Sequence, residues 1–217
     1  IYIGAQSTGS DMYLIKINST GHSDWNKSLN PTHDITRAAA VDSNSNVYFV
    51  GVNVSANDNW FISKWNSTGY SLWNRSYNPS TTDISYAMAV DLRNNIYVVG
   101  EQNNDWRIMK INATGKSLYN RTVVSTGTDE AYAVKVDRFG DIYVAGVDSA
   151  TIFIMKMNST LGSIWNKTYS NFAGAEQING IEISKDDSII LVGVNGTLQD
   201  WLAMKVSFAG ASIWNRT

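Results

Sequence analysis

At 217 residues with 43% hydrophobic side chains, the chain has material for one substantial core, and its 17 basic and 19 acidic residues balance to a net charge of -2. Without a polybasic run, nucleic acid is excluded as an expected partner. No apolar window reaches the roughly 18 residues of a membrane span. Cysteine is absent, which removes disulfides and thiolate metal sites. Ile1 already opens a strand pattern, so the sequence reads as a processed portion of a longer polypeptide.

Along the chain, Gly4, Gly51, Gly100, Gly146 and Gly193 follow short β-branched runs at spacings of 47, 49, 46 and 47. A fixed period near 47 marks a structural repeat. A second marker keeps step with it: Trp25-Asn26, Trp73-Asn74, Tyr119-Asn120, Trp165-Asn166 and Trp214-Asn215. A third is Val41-Asp42, Val90-Asp91 and Val136-Asp137, replaced by Ile183-Ser184 in the next copy. The units run approximately over 1–30, 36–78, 85–122, 131–169 and 179–217, within a single domain of residues 1–217.

The unit at 131–169 displays the pattern most fully. AYAVKVD (131–137) predicts a small-residue strand, RFGD a tight turn, IYVAG (142–146) a continuous apolar strand, IFIMKMN (152–158) a third strand and SIWNKTY (163–169) a fourth. Four antiparallel strands per unit predict an all-β fold, a β-propeller of four-stranded antiparallel blades. The chain opens on a second strand, so about five blades are expected, the first lacking its innermost strand. A parallel β-solenoid is the alternative. Alanine-rich segments such as AAAVD and AMAVD suit the crowded inner position. The Trp-Asn strand suits the rim, with Trp wedged between blades and Asn facing water.

DWRIMKINATGKSLYN followed by DEAYAVKVDRFGDIYVAG resembles the bacterial and archaeal SBBP-type (seven-bladed β-propeller) repeats, and the resemblance recurs along the whole chain. The seven blades of the family's name exceed what 217 residues supply. The resemblance implies a secreted or surface protein and no shared catalytic residues. A weaker similarity is to quinoprotein propellers, whose blades dock through T-G-x-x-x-W. Its counterparts here are Thr20-Gly21 to Trp25, Thr68-Gly69 to Trp73 and Thr114-Gly115 to Tyr119. The resemblance implies that this motif staples blades and binds no cofactor; none is expected.

The sequon N-x-[ST], an acceptor for N-linked glycans in secreted chains, occurs at Asn18, Asn26, Asn53, Asn66, Asn74, Asn112, Asn120, Asn158, Asn166, Asn195 and Asn215. With 23 Asn and 40 Ser or Thr in 217 residues, chance gives about 4 such sites. Turn chemistry accounts for part of the excess at Asn18, Asn66, Asn112 and Asn158. It does not account for Asn26, Asn74, Asn120, Asn166 and Asn215, which fall within predicted strands, where Asn is a poor former. Asn30 and Asn78 precede proline and are expected bare.

Other chemistry is sparse. Asp34, Asp83, Asp129 and Glu176 precede the innermost strands and could ring a cation, although bonding to their own turns is the simpler reading. Asp42, Asp91 and Asp137 read as turn residues. His22 and His33 lack metal-ligand spacing. Trp60, Trp106 and Trp201 begin third strands, where they either pack between blades or stack on sugars. The expectation is an extracellular or cell-surface, N-glycosylated scaffold that is not an enzyme, part of a surface layer, adhesin or filament. Self-association is a possible partner mode, with a neighbouring chain supplying the missing inner strand. The alternatives are a carbohydrate-binding, lectin-like propeller and, third, a hydrolase or quinoprotein fragment.

Overall fold

The computed structural model describes residues 1–6, 12–29, 34–53, 59–77, 83–124, 127–149, 151–170, 177–195 and 200–217. They form strands and turns, and among them no helix is long and apolar enough to cross a membrane. The first sheet holds three strands, β1 (Tyr2–Gln6), β2 (Met12–Ile17) and β3 (Ser23–Leu29), in that order. Four sheets of four strands follow. They are β4 (Asp34–Val41) to β7 (Ser71–Tyr77), with β5 (Val47–Asn53) and β6 (Asn59–Trp65) between them, and β8 (Asp83–Val90), β9 (Ile96–Gln102), β10 (Asp105–Ile111) and β11 (Ser117–Val123). Next come β12 (Asp129–Val136), β13 (Ile142–Asp148), β14 (Thr151–Met157) and β15 (Ser163–Tyr169), then β16 (Gln177–Ile183), β17 (Ile189–Asn195), β18 (Asp200–Val206) and β19 (Ser212–Arg216). Strands pair with their sequence neighbours. This is a β-propeller of antiparallel blades, and among the described residues there are five, the first with three strands and the others with four.

The chain divides into two compact units, Ile1–Val98 with Lys110–Leu118, and Val99–Met109 with Tyr119–Thr217. In the first, Leu14, Val47, Phe49 and Trp65 form a buried cluster, flanked by Tyr2, Trp25 and Leu29. In the second, Ile152 and Ile154 of one blade meet Ile178, Leu191, Leu202 and Met204 of the next. Burial explains the residue types. β13 and β14 are covered on both faces and read as apolar runs, broken in β14 by Lys156, whereas β15, on the rim, alternates a half-buried Trp165 with exposed neighbours.

Both hairpin types turn through five residues whose fourth takes positive φ. In the inner hairpins these are Ser45 (φ 60°), Asn94 (62°), Gly140 (87°) and Asp187 (60°). In the outer hairpins they are Gly21 (84°), Gly69 (80°), Gly115 (80°), Leu161 (64°) and Gly210 (82°). Leu161 is the exception in a series that the left-handed region reserves for glycine.

The repeated strand glycine has a different cause. The innermost strand carries a β-bulge at the same place in three blades, between Thr36 and Ala38, Ala131 and Ala133, and Ile178 and Gly180. Each bulge pushes a carbonyl onto the glycine of the second strand. A methyl placed on Gly51 would lie 2.1 Å from the Ile35 oxygen, on Gly146 2.0 Å from Glu130 and on Gly193 2.0 Å from Gln177. Here the spacing of glycines misled at one position. Gly51, Gly146 and Gly193 oppose Phe61, Phe153 and Leu202, three residues before a strand lysine, but the matching residue in the first blade is Ala5, opposite Tyr13. Gly4 is one step out of register. With no bulged inner strand over it, β1 has room for a methyl at Ala5, and Gly4 is small for another reason: Thr36 of the next blade presses on it.

Candidate functional site

The features that repeat with chemical content lie at the turns and along the rim. In three of the inner hairpins an aspartate opens and organises the loop, and Ser184 stands at that place in the fourth. Asp42 Oδ1 accepts the Asn44 and Asn46 backbone N–H groups at 2.9 and 2.8 Å, while its Oδ2 accepts the Asn46 amide and the Tyr48 hydroxyl, both at 3.0 Å. Asp91 repeats this with Arg93, Asn95 and Tyr97, and Asp137 with Phe139, Asp141 and Tyr143. Burial works against ionised Asp42, yet these hydrogen bonds outweigh it and hold its pKa below the ordinary value. Burial, together with the adjacent carboxylate, raises the Tyr48, Tyr97 and Tyr143 hydroxyls. Turn organisation, as expected, is what these aspartates do.

Asp83 and Asp129 are buried, and Asp129 Oδ1 accepts the Ser149 N–H at 3.1 Å. The Asp34 side chain, Glu176 and His33 lie outside the described residues. Among the described residues no three of His, Asp and Glu gather as metal ligands. His22 is exposed, with Nδ1 3.0 Å from the Thr20 hydroxyl.

In the outer hairpins an asparagine takes the place of aspartate. Asn66 Oδ1 accepts the Thr68 N–H, the Thr68 hydroxyl and the Tyr70 N–H at 3.1, 2.8 and 2.9 Å. Asn18, Asn112 and Asn158 bind their turns in the same three-way manner. Turn chemistry therefore explains both the asparagine and the threonine of this set. The rim set differs. Asn26 and Ser28, Asn74 and Ser76, Asn120 and Thr122, Asn166 and Thr168, and Asn215 and Thr217 are all exposed. Being two residues apart on a strand, the first four pairs each share one face, while Thr217 follows the end of β19. Asn195 departs from the expected glycan acceptors, since it is buried at the end of β17. Asn53 ends β5, and the rest of its sequon, with Asn30 and Asn78, lies outside the described residues.

The rim tryptophans hold successive blades together within each unit. Trp25 Nε1 donates to the Ser67 carbonyl at 3.1 Å, and Lys16 Nζ reaches the same oxygen at 3.1 Å. Trp73 and Lys64 repeat this at Ala113, at 3.1 and 3.2 Å. The indoles lie against the turn glycines, since a methyl on Gly69 would stand 2.8 Å from Trp25, and one on Gly210 3.3 Å from Trp165. Tyr77 and Tyr169, their hydroxyls pushed up to about 12 by burial, donate to the Gly115 and Gly210 carbonyls. The lysine is the residue that sequence reasoning passed over. Lys64 and Lys156 are buried, each over its own blade's tyrosine ring at 4.9 and 5.0 Å. Its recurrence as Lys16, Lys64, Lys110, Lys156 and Lys205 was the available signal.

Of the third-strand tryptophans, Trp60 and Trp106 are buried and cannot stack on a sugar. Trp106 donates to the Val147 carbonyl at 2.8 Å and meets the edge of Phe153 at 5.1 Å, which is packing between blades. Trp201 alone of the three is exposed, at 63%.

Fold and turns together define a repeat β-propeller. No protein-family model and no curated protein matches the chain. Among solved structures it is similar to a protein from Lactobacillus plantarum, at 16% identity and TM-score 0.70 over 100% of this chain and 66% of that one. It is also similar to a streptogramin B lyase, at 13% identity and TM-score 0.69 over 99% of this chain and 67% of the lyase. A third likeness is to a GH43 β-1,3-galactosidase solved with galactodeoxynojirimycin, at 10% identity and TM-score 0.56 over 96% and 87%. These likenesses carry the fold. They also correct the expectation that the chain is not an enzyme, because the same fold serves a lyase and a galactosidase. Regular blades are therefore no argument against catalysis.

Proposed function

We propose that this chain is an extracellular β-propeller scaffold of the SBBP-repeat type, whose rim carries N-linked glycans, within a cell-surface layer, adhesin or filament. The observation that carries the reading is the rim set. In all five copies an exposed asparagine on the outermost strand is followed two residues on by an exposed hydroxyl residue, and neither turn geometry nor β propensity calls for the asparagine. Glycans there would cover the edge strand's unpaired backbone groups and oppose edge-to-edge pairing. Asn26, Asn74, Asn120, Asn166 and Asn215 are all exposed, whereas Asn195 is buried.

Glycopeptide mapping of the protein from its native source tests this. Occupancy at the five rim asparagines is the expected result. An intact mass equal to the bare 24.0 kDa polypeptide would remove the reading.

A further inference from the structure

Within each unit the rim sequons sit on backbone that is held from two sides. One side is the ladder, where Asn26 lies opposite Ile15, Asn74 opposite Ser63 and Asn166 opposite Met155. The other is the seam with the following blade. Trp73, Arg75 and Tyr77 alternate with Asn74 and Ser76, and all three donate to one outer turn. Trp73 Nε1 reaches the Ala113 carbonyl at 3.1 Å, an Arg75 guanidinium N–H reaches Thr114 at 3.3 Å and the Tyr77 hydroxyl reaches Gly115 at 2.6 Å. Arg75 is the middle residue of the sequon itself. Around Asn166 the pattern returns, with Trp165 and Lys167 against Gly210 and the Tyr169 hydroxyl on its carbonyl at 2.8 Å. Beside Asn26, Trp25 is bonded to Ser67. The acceptor side chains face solvent, but the backbone that carries them is fixed along both edges.

Transfer of a glycan joins asparagine Nδ2 to the anomeric carbon of a lipid-phosphate-linked oligosaccharide. The bond from that carbon to the phosphate oxygen breaks, the lipid phosphate leaves with the electron pair, and the proton lost from Nδ2 passes to solvent. An enzyme that reads the asparagine together with the hydroxyl two residues on encloses the peptide between them. In the finished blade that stretch is already enclosed. Access then falls to the small population in which the rim strand has opened.

We propose that a rim sequon is open to glycan transfer only until the outer turn of the following blade docks, so that folding of each blade ends modification of the one before it. The proposal rests on the rim as a glycan carrier and adds the partner, an oligosaccharyltransferase acting on the unfinished fold, and the order of events. The interval is written into the chain: Trp25 and Ser67 are 42 residues apart, Trp73 and Ala113 40, and Tyr169 and Gly210 41. The groups that seal a sequon are therefore made almost a full repeat after it.

The test is cell-free synthesis of the full chain, with an oligosaccharyltransferase and its lipid-linked donor present either during synthesis or only after folding. Glycopeptide mapping reads occupancy at Asn26, Asn74 and Asn166. Early occupancy is expected to exceed late occupancy by about tenfold or more at all three. Trp73→Phe removes the indole donor to Ala113 and should raise late occupancy several-fold at Asn74, with Asn26 and Asn166 unchanged. Equal occupancy in the two arms overturns the proposal, as does absence of glycan from all three sites in both. So does a late gain in Trp73→Phe that is no greater at Asn74 than at Asn166. Mapping of the native protein answers separately for use. Bare rim asparagines there, with the contrast between arms intact, would remove the functional reading and leave the order of modification and folding in place.

Discussion

The inner and outer hairpins of a blade use the same backbone turn and nearly the same first residue, yet they differ in what they leave available. Asp42 and Asn66 each offer one oxygen to backbone N–H groups two and four residues on. In Asp42 the second oxygen is spent on Tyr48 and Asn46 and the residue is buried. In Asn66 the same position is an amide nitrogen at a half-exposed rim, with the turn's demands already met by Oδ1. One atom thus separates a turn that is locked into the blade from a turn that keeps a modifiable nitrogen. Turn geometry and sequon are therefore compatible in the outer hairpins and do not compete as explanations.

The sharpest way to break the inner hairpin is not at the aspartate. Gly146→Ala sets a methyl 2.0 Å from the Glu130 carbonyl, and the bulge cannot relax without losing its pairing. A loss of about 3 kcal/mol or more is expected in chemical denaturation. Ala5→Gly, at the equivalent position without an inner strand, should cost under about 1 kcal/mol. Equal losses would refute the bulge argument.

Next in size, Asp42→Asn turns one acceptor into a donor facing the Asn46 amide and the Tyr48 hydroxyl, for about 2 kcal/mol near neutral pH. The folded carboxyl titrates below its ordinary value, so its contribution is present above about pH 4 and is lost as pH falls through the folded pKa. The gap in melting temperature between wild type and variant should therefore narrow below pH 4. A gap that widens there would contradict the assignment.

The smallest effect is expected in the outer turn. Asn66→Asp keeps both backbone N–H bonds of the turn and should alter stability by less than about 0.5 kcal/mol. It also abolishes any glycan at that site, which glycopeptide mapping would register. A loss matching that of Asp42→Asn would mean that the outer turn is locked as tightly as the inner.

Most of the blade was legible because its periodic signals answer to strong physical demands: apolar runs where both sheet faces are covered, tight turns at fixed intervals, Trp at the rim. The misreadings have physical causes too. Gly4 was matched by letter, but its smallness serves Thr36 and not a bulge, and only the pairing of Tyr2 with Lys16 reveals the register. The strand lysines were passed over because a charged residue in a strand ordinarily faces water. Here the stem is buried while the ammonium finds a neighbour's carbonyl. Trp60 and Trp106 were ambiguous, since a buried wedge and a sugar platform share one residue type. Catalytic competence was not legible, because the fold accommodates enzymes without fixing their residues.

The bulge and the glycine beneath it lie in one hairpin, Ile35 with Gly51 and Glu130 with Gly146, so a gene segment that split them would encode a collision. The workable unit of duplication is therefore cut between the fourth strand of one blade and the first of the next. The strand lysine recurs in every copy and the rim Trp and turn glycine in most, so a newly inserted copy finds compatible neighbours on either side. The number of blades is then free to drift during evolution while the chemistry of each seam is inherited intact.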